Sequence, residues 1–183
     1  MYVKEDGLVF CVEPSGVTLV KVDKKIDNNL IIPSSVNGRA VDTIDKSVFA
    51  GITNLVNIEL PSSIKAIHES AFEKCSNLRS VKFYWTAKHN TCTLHKGAFA
   101  DCKSLTEITL GKNVRALGNS VFRGCTNISK VTFNDKITEI PDRLFMNVRK
   151  LKSVEIPENV VKIGSDAFRS CVKLEEVILH DNI

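Results

Sequence analysis

The chain has 183 residues, and those with most chemical potential are six cysteines, four histidines and one tryptophan. Thiolates attack carbon and bind metals, and paired thiols close disulfides, so cysteine spacing decides which chemistry is open. Cys75, Cys102, Cys125 and Cys171 each stand three residues after a phenylalanine (Phe72, Phe99, Phe122 and Phe168). The same place after Phe49 and Phe145 holds Ile52 and Val148. A position that accepts Cys, Ile or Val is small, apolar and buried. These thiols are therefore expected to be free and buried, neither disulfide partners nor nucleophiles.

His89, Cys92 and His95 fall in one stretch, His89-Asn90-Thr91-Cys92-Thr93-Leu94-His95. A zinc site usually wants four ligands in recognised spacings, and no fourth is evident. The stretch reads as a solvated loop, with no metal and no cofactor. His68 and His180 have no nucleophile partnered with them in sequence, and neither a Gly-rich phosphate loop nor a Gly-x-Ser-x-Gly turn occurs. No catalytic residue is assigned, and the chain is expected not to be an enzyme. Phe83-Tyr84-Trp85 carries more promise, because Tyr and Trp are enriched at binding hot spots. Tyr84 and Trp85, with Lys82 and Lys88, are the expected partner-binding residues. The competing reading folds Trp85 back to cover its own widened rung.

What positions these residues is a repeat. Phe49, Phe72, Phe99, Phe122, Phe145 and Phe168 recur at intervals of 23, 27, 23, 23 and 23 residues. Six residues after each stand Leu55, Leu78, Leu105, Ile128, Leu151 and Leu174; nine after come Ile58, Val81, Ile108, Val131, Val154 and Val177. Five before lie Ile44, Ile67, Leu94, Leu117, Ile140 and Ile163. Alternation within Leu-x-x-Ile/Val-x-Leu, as at Ile58-Glu59-Leu60, predicts a short strand with one face buried. Glu69-Ser70-Ala71-Phe72-Glu73-Lys74-Cys75 lacks alternation and reads as a helical turn closing the rung. Pro61 and Pro157 follow the strands directly, where a missing N–H is tolerated. A solenoid of stacked rungs is the architecture these columns imply.

The columns resemble the BspA-type leucine-rich repeats of bacterial and protist surface proteins. The resemblance is carried by Leu55-Val56-Asn57-Ile58-Glu59-Leu60-Pro61-Ser62-Ser63-Ile64, Ala71-Phe72 and Ile163-Gly164-Ser165-Asp166-Ala167-Phe168-Arg169-Ser170-Cys171, and it runs from Leu30 to the end. It implies a leucine-rich repeat solenoid of the α/β horseshoe class, strand-dominated with short helical turns. About six 23-residue rungs are expected over residues 34–183. Glycine holds its usual family position only at Gly118 and Gly164, where other rungs carry Asp45, His68, His95 and Pro141, and the rung between Phe72 and Phe99 is four residues too long. Functionally the resemblance implies a non-catalytic protein-binding scaffold, secreted or on the cell surface, that adheres to host, matrix or self proteins. An intracellular scaffold or assembly protein is the alternative, since no signal peptide is visible at Met1.

Residues 1–33 depart from the repeat and read as an N-terminal β-hairpin cap, Leu8–Val12 and Val17–Val22 about Glu13-Pro14-Ser15-Gly16, continuous with the array. The other end shows no such cap, so either the array continues or its last strand is open to end-to-end association. The net charge of +4 is spread thinly, at −1 for residues 1–48, +3 for 49–98, +2 for 99–148 and zero for 149–183. That pattern argues against nucleic acid, which asks for a concentrated basic stripe. No apolar run is long enough for a membrane helix.

Overall fold

The computed structural model of the protein describes residues 1–84 and 91–181. The chain winds as a coil of short strands and turns, and two series of rung strands follow one another along the array. One contains β4 (Asn29–Ile31), β7 (Asn57–Leu60), β9 (Ser80–Phe83), β11 (Glu107–Thr109), β13 (Lys130–Thr132), β15 (Ser153–Glu155) and β17 (Glu176–Ile178). The other contains β6 (Arg39–Ile44), β8 (Ala66–Ile67), β10 (Cys92–Leu94), β12 (Val114–Leu117), β14 (Glu139–Ile140) and β16 (Lys162–Ile163). All rung-to-rung pairings are parallel; Ile58 faces Val81, Ile140 faces Ile163, and the register shifts by one residue between β10 and β12 at Cys92/Thr93. In the first ladder β4-β7-β9, β11-β13 and β15-β17 are separate hydrogen-bonded groups, with breaks between β9 and β11 and between β13 and β15.

At the N-terminus, β1 (Tyr2–Glu5), β2 (Leu8–Glu13) and β3 (Gly16–Val22) form an antiparallel meander. β3 then lies parallel to β6, pairing Thr18 with Thr43 and Leu19 with Ile44, so the meander joins the second ladder directly. β5 (Ser35–Val36) makes a small hairpin with the start of β6. The strand Asn29–Ile31, grouped with the N-terminal segment in the sequence reading, pairs with β7 as a rung strand. A single apolar cluster runs from Leu8 to Cys171.

The third side of each rung is the segment around the repeat phenylalanine, and here the expectation of a helical turn is refined. No helix occurs among the described residues. Instead Phe49 closes an i→i+3 turn, Ile52 N–H donating to Phe49 C=O at 3.0 Å, and the same bond recurs from Cys75 to Phe72 and from Cys125 to Phe122. The physical reason lies in where the other N–H groups go. Ser47, Phe49 and Gly51 donate to Glu69, Ala71 and Glu73 of the next rung, at 3.1, 2.8 and 2.8 Å. The triple recurs for Ser70, Phe72 and Lys74, and again for Arg143, Phe145 and Asn147. An α-helix would turn these donors back into its own chain.

Pointing alternate N–H groups at the neighbouring rung requires left-handed residues two before and two after each Phe. Ser47, Ser70, Gly97, Ser120, Arg143 and Asp166 precede; Gly51, Lys74, Asp101, Gly124, Asn147 and Ser170 follow, with φ between 56° and 73° throughout. Each non-glycine residue so placed costs about 1–2 kcal/mol, and the inter-rung bonds hold it there.

Six phenylalanine rings stack in one row through the core. Centroids are 4.7 Å apart for Phe49–Phe72 and 4.9 Å for Phe72–Phe99, opening to 5.7 Å at Phe145–Phe168, with interplanar angles of 16° or less along the row. The spacing follows the rung repeat of about 4.8 Å. Beside this row, the cysteine column is more than apolar filling. The thiols of Cys75, Cys102, Cys125 and Cys171 each donate at 3.1 Å to the backbone carbonyl of a phenylalanine one rung back: Phe49, Phe72, Phe99 and Phe145. All six cysteines are free, and all but Cys11 are buried.

Replacing Phe122, fully buried in the middle of the row, with alanine should cost about 3–5 kcal/mol. Phe168→Ala, which has a stacked ring on one side only among the described residues, should cost less; urea unfolding of both variants measures the difference. Burial pushes the Cys75 and Cys92 thiols from 9.0 up to about 12. Their contribution to stability should thus be intact below the unfolded value near 9 and be lost as pH rises from there toward 12. In the folded protein at pH 8, Cys11 should be alkylated first and the other five only after denaturation, as mass spectrometry of labelled peptides would show.

Candidate partner-binding surface

The outward residues of the first ladder form two columns, because alternation sends every second side chain away from the core. The inner members Ile58 and Leu60 are fully buried, which leaves Asn57 and Glu59 on the outer face of β7. Register then stacks like on like. Asn57 Nδ2 donates to Asn29 Oδ1 at 2.6 Å, and Ser80 Oγ donates to Asn57 Oδ1 at 2.7 Å, making a polar ladder across three rungs.

In the second column Ile31, Glu59 and Lys82 face one another on β4, β7 and β9. Lys82 Nζ lies 3.6 Å from Glu59 Oε1 and donates to Tyr84 Oη at 2.6 Å. Tyr84 O–H in turn donates to Glu59 Oε2 at 2.8 Å, and the ammonium sits 4.4 Å from the centre of the Tyr84 ring. Tyr84 is held in place by its own N–H, which donates to Leu60 C=O at 2.9 Å. The hydrogen bond with Tyr84, followed by the charge of Glu59, raises the Lys82 pKa above its ordinary value. Lys82 therefore stays charged and the phenol is fixed in orientation.

Beside this triad, Ile31 is 66% exposed and Tyr84 44% exposed. They border a shallow groove of about 320 Å³ with Pro33 and Pro61 on its walls. Of the four expected contact residues, Lys82 and Tyr84 are brought together; Trp85 and Lys88 lie outside the described residues, as does His89. The stretch expected as a solvated loop is instead strand over Cys92–Leu94, with the Cys92 and Leu94 side chains buried in the core, because it carries the second ladder through this rung; His95 is exposed with its ring beside His68, centroids 4.8 Å apart. Sequence reasoning missed Glu59 as the hub of the triad and Ile31 as its apolar neighbour. Leu30-Ile31-Ile32 pairs with Ile58-Glu59-Leu60 across 28 residues, five more than the 23-residue period, so the periodicity did not point to it.

The model of the BspA type leucine-rich repeat region matches residues 28–89 and 85–183, in six copies. No curated protein matches the chain. Among solved structures, the chain is similar over its whole length to a leucine-rich cell surface protein of Faecalibacterium prausnitzii, at 21% identity and a TM-score of 0.69, and spans 57% of that protein. It is similar over 96% of its length to the leucine-rich repeat protein of T. pallidum, at 22% identity and a TM-score of 0.70, covering 91% of it. It is also similar to the pneumococcal vaccine antigen PcpA, at 22% identity and a TM-score of 0.80, with all of this chain matched to half of that one. At such identities the structural likeness speaks to the fold, whereas the repeat model spans the array from its first rung strand to the last residue. The chain belongs to the BspA-type leucine-rich repeat family.

Proposed function

We propose that this chain is a non-catalytic protein-binding module of a cell-surface protein, meeting its partner on the outer face of the first strand ladder around Tyr84. The partner is a host, matrix or self protein. A repeat scaffold of this kind is a general protein-interaction fold, and a solved relative by fold is described as a cell surface protein. Among the described residues no helix is long and apolar enough to cross a membrane.

The observation that carries the reading is the Glu59–Lys82–Tyr84 triad beside exposed Ile31. A tyrosine held by two polar partners loses little rotamer freedom on binding, and its exposed ring offers apolar contact area next to Ile31. Trp85 and Lys88, adjacent in sequence, belong to the same proposed contact. The cations of this face are balanced by neighbouring acids, as Lys82 is by Glu59 and Lys136 by Asp135, which fits a protein surface better than a nucleic-acid backbone.

The test immobilises wild-type protein and the variants Tyr84→Ala, Trp85→Ala and Ile31→Ser, and offers each host-matrix, host-membrane and self surface extracts. A partner retained by wild type should lose about 2 kcal/mol or more of affinity with Tyr84→Ala or Trp85→Ala. Val172→Ser, on an exposed side chain in the turn after Cys171, should bind as wild type. Equal retention by wild type, Tyr84→Ala, Trp85→Ala and Ile31→Ser would place the contact elsewhere.

A further inference from the structure

We propose that His68 and His95 together form an exposed, exchangeable binding site for a divalent transition-metal ion, with Cu(II) preferred. The two residues hold the same position in successive rungs, just past β8 and β10. Their backbones are fixed alike: His68 N–H donates to Ile44 C=O and His95 N–H to Ile67 C=O, both at 2.9 Å. The imidazole centroids are 4.8 Å apart with planes inclined at 37°. Two imidazoles bound side by side to one ion through bonds of about 2.0–2.1 Å put their centroids roughly 4.5–5 Å apart. The rings therefore already stand at the chelating separation, and chelation asks each side chain to turn a nitrogen toward a shared ion.

The fold itself does not ask for these histidines. The same column holds Asp45, Gly118, Pro141 and Gly164 in other rungs, so an imidazole has no repeated packing task there. In the rung after His95, Gly118 contributes no side chain, and a Cβ there would sit 2.5 Å from the backbone nitrogen of Lys96.

Surrounding charges define the kind of site. Glu69 is engaged by Lys46 at 3.2 Å and Lys96 at 4.0 Å, and the Asp45 carboxylate accepts from Lys46 N–H at 2.7 Å. Among the described residues no third His, Cys, Asp or Glu gathers with the pair into a metal-holding cluster. Water must fill the remaining coordination positions. A closed tetrahedral zinc centre is not what two ligands build. An open pair of imidazoles suits Cu(II), which stands at the top of the divalent affinity order for nitrogen ligands. Because the imidazoles must be neutral to coordinate, binding weakens as pH falls through the histidine range.

Full-length protein carrying no affinity-tag histidines is titrated with Cu(II), by calorimetry and by electron paramagnetic resonance. Wild type should take up one ion with two imidazole nitrogens in its spectrum. His68→Ala and His95→Ala should each weaken binding about tenfold or more, while His89→Ala and His180→Ala leave it unchanged. A wild-type spectrum with fewer than two imidazole nitrogens overturns the proposal, whatever the variants do. So does undiminished affinity in His68→Ala or His95→Ala when metal-free melting shows them folded.

Discussion

Everything in this molecule depends on the direction in which the turn N–H groups point. Most rungs take 23 residues, the greater part of them outside regular strand, and backbone groups in the interior must still find partners. They find them one rung away. Ser70, Phe72 and Lys74 donate to Lys96, Ala98 and Ala100, just as their counterparts do along the array. Because the bonds leave the rung, no rung is satisfied alone, and stability is shared between neighbours. The phenylalanine row and the thiols that donate to carbonyls one rung back follow from the same requirement, since both need the next layer in register.

That same register makes the surface. Parallel pairing without slippage puts Ile31, Glu59 and Lys82 in a row, so a cation, an anion and a phenol meet without any loop to bring them together. His68 and His95 meet for the same reason on the second ladder. A solenoid turns spacing along the chain into adjacency in space, and a chance pair of residues one repeat apart becomes a fixed pair of side chains.

The fold was legible in the sequence because apolar columns are a direct record of burial. Phe49, Phe72, Phe99, Phe122 and Phe145 are all fully buried where the period put them. The turn was less legible. Its left-handed positions are filled mostly by Ser, Asp, Asn, Lys and Arg rather than glycine, so backbone conformation left little compositional trace, and a lack of alternation looked helical. The cysteine column showed its burial, since Ile52 and Val148 share it, but not its hydrogen bonds, because the accepting carbonyl belongs to a residue 26 or 30 positions away. Of the candidate surface, Lys82 and Tyr84 were readable from the Phe83-Tyr84-Trp85 cluster. The period also puts Glu59 one rung before Lys82 in the same outward column, but its bond to the Tyr84 phenol and the place of Ile31 beside it exist only once the strands are paired.

The uniform polarity of the turn bonds also bears on how such a chain changes over generations. Every rung presents the same donors to one neighbour and the same acceptors to the other. Removing or duplicating a whole 23-residue unit leaves matching chemistry at the seam, and the 27-residue interval from Phe72 to Phe99 keeps the same bonds, Phe72 N–H still donating to Ala98 C=O. Length can thus change by whole units, or within a unit by insertion between the bonded positions, with the turn bonds kept.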